Sequence, residues 1–209
     1  NPGNPDWIPI WNPLKKIPDQ DYGRMADNMV SYFKSVVQGW GDRMETILRQ
    51  CFYGLLHIDR SCLLDVSNIL RPNSDESKFL RQAIIENLQN VEARQFWQND
   101  FDNYRSDEFG PPKNKLSKLL VGGPVSLMLS QPDSFINFGN IMDNGMIFLC
   151  NLSKMGSEIR ETLGSFILSV IHLTALSRSD IPAEQRKAFH LGIPAVRLLI
   201  SYCNSIDLF

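Results

Sequence analysis

Apolar residues recur every three or four positions through most of this chain, and that spacing predicts helices. Tyr22, Met25, Met29, Phe33 and Val36 mark one helix, ended by Gly39-Trp40-Gly41. Met44, Ile47, Leu48, Cys51, Phe52, Leu55 and Leu56 mark the next. Asp42 is its expected cap, with Glu45 three residues on, a capping-box arrangement with Asp in the Ser/Thr place. A short stretch, Cys62–Leu70, leads to the polar break Arg71-Pro72-Asn73-Ser74. Phe79, Leu80, Ala83, Ile84 and Leu88 predict a third helix, and Val91, Phe96, Trp97 and Phe101 a fourth. Gly110-Pro111-Pro112 punctuates the pattern. Leu116, Leu119 and Leu120 predict a short helix, and Val125–Leu129 another after Gly122-Gly123-Pro124. Residues 21–131 therefore predict a helical lobe. Residues 1–20, rich in Pro and Trp, predict an irregular segment whose aromatics dock on a core.

The pattern changes after Gln131. Asp143-Asn144-Gly145 signals a turn, and Met146-Ile147-Phe148-Leu149-Cys150-Asn151-Leu152 is a continuous apolar run of strand length. Such a run predicts a strand buried on both faces of a parallel sheet. After Ser153-Lys154-Met155-Gly156, a long helix is expected through Ile159, Leu163, Phe166, Ile167, Val170, Ile171 and Leu176, ending near Arg178. Residues 144–178 thus predict one strand–loop–helix unit, and residues 132–191 the α/β part of the chain. Residues 192–209 form an apolar, divergent tail. The expected fold class is α/β.

Composition narrows the function classes. The chain has 209 residues, 43% hydrophobic and 21% charged, with a formal net charge of −2. These proportions suit a globular domain, and the charge balance confines any nucleic-acid surface to a local patch. Cys51, Cys62, Cys150 and Cys203 form no C-x-x-C pair; Cys51 and Cys150 sit in apolar runs, so buried free thiols and a reducing, cytoplasmic setting are expected. No apolar stretch is expected to span a bilayer, and the N-terminus reads as a chain entered in the middle rather than as a leader peptide.

Candidate chemistry is sparse. Phosphate loops need glycines for close backbone approach and a Lys to meet the phosphates, and no G-x-x-x-x-G-K-[ST] is present. His57, His172 and His190 are scattered and no H-E-x-x-H or Cys/His grouping occurs, so no metal site is expected. No G-x-S-x-G is present to anchor a hydrolase triad. Arg43 and Arg49 follow Asp42 on one helix; they either reach a carboxylate or phosphate across a subunit boundary, or make surface pairs. Lys154 follows the predicted strand, at the edge where open α/β sheets gather nucleotides, or is simply solvated. Lys113, Lys115 and Lys118 are the compact basic cluster, suited either to a phosphate backbone or to a solvated helix face.

Five blocks carry a family resemblance. They are Asn4-Pro5-Asp6-Trp7 with Asn12-Pro13-Leu14; Trp40-Gly41-Asp42-Arg43-Met44-Glu45 with Ile47-Leu48-Arg49; Leu63-Leu64-Asp65-Val66; Asn114-Lys115-Leu116 with the helix over 124–131; and Ile141-Met142-Asp143-Asn144-Gly145 through Ser153-Lys154 to Ala175-Leu176-Ser177-Arg178. In this order they resemble the middle of a P-loop ATPase of the HerA–FtsK superfamily, in its type IV secretion and conjugative-coupling branch. The resemblance implies a RecA-like core with a helical insertion, in a ring-forming motor that uses Mg-ATP to move DNA or secretion substrates. It implies homo-oligomers, with DNA and secretion-system proteins as partners. The Walker A loop is absent, and where the family has a Walker B strand ending in Asp-Glu this chain reads Gly192-Ile193-Pro194-Ala195-Val196-Arg197. No catalytic residue and no cofactor is therefore expected in this chain. The expectation is a fragment or truncated product, inactive alone; the alternative is a self-standing helical protein-interaction module.

Overall fold

The computed structural model describes residues 6–16, 21–36, 39–121 and 123–192. Among these the chain is helical, with no strand and no sheet, so the fold class is all-α and the α/β expectation is corrected. The helices are α1 (Tyr22–Val36), α2 (Asp42–Leu55), α3 (Leu63–Ile69), α4 (Asp75–Asn87), α5 (Val91–Gln95), α6 (Gly110–Leu120), α7 (Gly123–Leu129), α8 (Phe138–Asp143) and α9 (Ser157–Ser177).

Several helix starts follow from local chemistry. Ser74 caps α4 by accepting from Ser77 N, Asn90 caps α5 through Ala93 N, and Asn137 caps α8 through Asn140 N. Pro111 and Pro112 open α6 rather than ending what precedes it, as expected where the first-turn N–H groups have no intrahelical partner. At α2 the N-cap is Gly41 and no side chain caps it; Asp42 already lies in the first turn, so the predicted Asp42 cap is corrected. Beyond α5, a π-turn covers Phe96–Asp100. It adds a residue to the turn, so Phe96 and Phe101, which a regular helix would splay apart, come to one side. Their rings lie 6.2 Å apart, and Trp97 stacks on Phe101 at 5.1 Å.

One apolar core joins the pieces. Phe33 of α1 stacks on Phe52 of α2 at 5.6 Å and meets Phe166 of α9 edge-on at 5.2 Å. Trp11 packs edge-on against Phe166 and Phe138, so the N-terminal segment is docked through this ring, while Trp7 stays exposed. Asn12, buried beside Trp11, donates to Ser61 O at 2.7 Å and to Pro132 O at 3.0 Å. These bonds fasten the segment to two distant loops. Val91 and Phe79, placed on apolar faces by the spacing rule, are exposed.

The region expected to form a strand behaves differently. Gly145, at φ 64°, ends α8: its N–H donates to Met142 O and the Met146 N–H to Ile141 O, the two bonds of a Schellman cap. The run that follows has no neighbouring strand among the described residues, and β-structure requires a partner ladder. Only Phe148 and Leu152 reach the core, Phe148 edge-on to Phe138 at 5.2 Å. Cys150 is exposed, not buried as its apolar surroundings implied; Cys51 and Cys62 are buried. Within α9, Ile159–Ser177 is long and apolar enough to cross a bilayer by length and composition, contrary to expectation, and 44% of that window is buried inside the protein. The tail beyond Gly192 lies outside the described residues.

Candidate functional site

The Trp40–Arg49 block folds as the start of α2 against α1, and its Arg43, Glu45 and Arg49 are engaged within the chain. Glu45 is the hub. Its Oε2 accepts from the Trp40 indole at 2.8 Å and from Lys34 Nζ at 2.8 Å, and its Oε1 from Arg49 at 3.2 Å. The Lys34 hydrogen bond, then the Trp40 bond, hold its carboxyl down to about 2 from an ordinary 4.5. Arg49 also pairs with Asp27 of α1. Arg43 reaches the other way, to Glu108 in the turn before α6; Glu108 also accepts from Arg105 N at 2.7 Å. The two arginines thus stitch α2 to its neighbours on opposite sides and do not converge on one point.

The lysines of α6 do not form a single face. Pro112, Leu116 and Leu119 make the buried stripe, which places Lys113 on one flank and Lys115 and Lys118 on the other. The carboxylates nearby in sequence are taken up by arginines: Asp102 by Arg81, Asp107 by Arg105 at 3.2 Å, and Glu108 by Arg43.

Lys154 is exposed in the turn before α9. Asn151 Oδ1 accepts from Ser153 N at 3.0 Å and from Ser153 Oγ at 2.7 Å, closing the turn from within. No group of three or more His, Cys, Asp or Glu among the described residues is placed to hold a metal.

Beside that turn lies the feature that residue-type reasoning missed. Ile147 and Leu149 are 86% and 87% exposed, Met146 and Cys150 are exposed with them, and the backbone from Ile147 to Cys150 makes no hydrogen bond to the described chain. The run holds no Lys, Arg, Asp, Glu or Pro, the residues with which exposed edges are usually protected. Its apolarity is legible in the sequence, where it reads as a sign of burial. Compared with family models, curated proteins and solved structures, the chain matches none.

Proposed function

We propose that the chain is a non-catalytic helical assembly module that joins a second copy of itself, backbone to backbone, along Met146–Asn151. The observation that carries this is the run just described, apolar, uncharged and unpaired, held at both ends by the Schellman cap of α8 and the Asn151 turn before α9. A second copy suits it because two identical runs pair antiparallel about a two-fold axis and satisfy each other's amides and carbonyls. Ile147 and Leu149 then meet side chains of the second copy across the ladder, a cross-strand gain of about 0.2–1 kcal/mol per pair. In sedimentation equilibrium the wild-type chain is expected to associate with rising concentration, and Ile147→Asp/Leu149→Asp to stay monomeric with unchanged helical content. Wild type and variant monomeric alike would sink the proposal.

The order of the five sequence blocks supports a larger setting for this module: a ring-forming, ATP-driven DNA translocase or secretion-coupling machine of the HerA–FtsK kind, working in the cytoplasm. DNA, secretion-system proteins, ATP and Mg belong to that setting. The residues of this chain do not fit a nucleotide–Mg site, since it has no glycine-rich phosphate loop and no metal-holding group among the described residues. No catalytic step is assigned to it. The purified chain is expected to show no ATP turnover; turnover that disappears in Lys154→Ala contradicts this assignment.

A further inference from the structure

A cleft of about 650 Å³ opens between the N-terminal segment, α1, the turn before α8 and the C-terminal half of α9. This volume lies in the range of small-molecule sites. Its apolar wall includes Met25, Met29 and Leu173, and methionine adapts its shape to different apolar bodies. The polar groups of the cleft are selective. The hydroxyls of Ser134, Thr174 and Ser177 already donate to Ile136 O, Val170 O and Thr174 O, so their hydrogens are spoken for.

The donors that remain suit an anion. Lys15 is exposed at the mouth and is in no ion pair among the described residues, although its charge also acts on Asp59. Asn137 uses its side-chain oxygen to cap α8, which leaves its amide nitrogen available. Arg178 is only 8% exposed; its Nε faces Asp143 Oδ1 at 2.8 Å, one Nη donates to Lys187 O at 3.0 Å, and the other Nη is not engaged within the described chain. Lys16, also lining the cleft, is paired with Asp59 outside it. Of the three cations lining the cleft, Lys16 is matched by Asp59 and Arg178 by Asp143, which leaves the single positive charge of Lys15 in excess.

We propose that this cleft binds a small amphipathic carboxylate, with its head on Arg178 and Lys15 and its aliphatic body over Met25, Met29 and Leu173. Binding at this cleft is independent of assembly along Met146–Asn151. Calorimetric titration of the full chain with decanoate, decanol and decyltrimethylammonium tests it. Decanoate is expected to bind at least about tenfold more tightly than the other two, because the two cations act only on the anion. Arg178→Gln and Lys15→Ser should each weaken decanoate by about fivefold to tenfold and leave decanol unchanged. Lys15 is exposed and is in no ion pair among the described residues, so its variant folds even if the Arg178 variant does not. Val170→Phe, which narrows the cleft from α9, should weaken all three. Equal affinity for decanoate and decanol, no decanoate binding at millimolar concentration, or undiminished binding in both Lys15→Ser and Val170→Phe overturns the proposal.

Discussion

Glu45 ties together three donors that sequence order keeps apart. Lys34 comes from the helix before it, Trp40 from the connecting loop and Arg49 from one turn further along its own helix. Because these donors stabilise the carboxylate, its folded pKa, about 2, lies below the ordinary 4.5. A lowered folded pKa contributes stability that is fully present above the unfolded value and is lost as pH falls from there through the folded value. Glu45→Gln is therefore expected to lower stability by about 1 kcal/mol at pH 7, the scale of a partly exposed ion-pair network. The gap should shrink between pH 4.5 and 2, as read from urea midpoints across that range. A gap that does not change with pH contradicts this. The sequence spacing makes Asp42 the cap of α2 and Glu45 its capping-box partner; Asp42 instead lies in the first turn, and Glu45 bonds to Lys34, Trp40 and Arg49. Local spacing carries capping geometry, whereas partners from another helix are invisible to it.

At the scale of elements, α2 and α4 approach through a glycine. A Cβ built on Gly54 falls 2.9 Å from Ile84 Cγ2, and Ile84 is fully buried, so the contact has no room to relax outward. Alanine normally favours a helix interior over glycine by about 1 kcal/mol. Here Gly54→Ala is expected to destabilise by about 1–2 kcal/mol, since overpacking a tight core outweighs propensity. The urea midpoint measures it, and a more stable variant contradicts the packing argument. The helices α1, α2, α4 and α9 were legible because each repeats its apolar stripe over many turns. The π-turn at Phe96–Asp100 was not, because its extra residue breaks the period that spacing rules assume. The short α8 was missed for a related reason: one and a half turns hold too few apolar repeats, and Asn137 gives its only start signal.

At the scale of the whole molecule, one core runs from Trp11 through α1, α2 and α9, with the Phe96–Phe109 aromatics on its far side. Over residues 21–131 the regular elements among the described residues are all helices joined by turns, and the α/β fold class is replaced by all-α. An uncharged apolar run is equally the mark of a doubly covered strand and of a surface awaiting a partner, and composition cannot tell them apart. In this chain Ile147 and Leu149 face outward, so the run is a surface.

Cys150 sits within that surface and reports its coverage. Burial pushes the Cys51 thiol up, lifts Cys62 to about 11 and raises Cys150 as well, but of these three only Cys150 is exposed to a reagent. The most direct test of assembly along Met146–Asn151 is the alkylation rate of Cys150 in a Cys203→Ser background, followed as protein concentration rises. The rate is expected to fall as copies pair, and to stay constant in Ile147→Asp/Leu149→Asp. A wild-type rate unchanged over the whole concentration range contradicts the proposed interface.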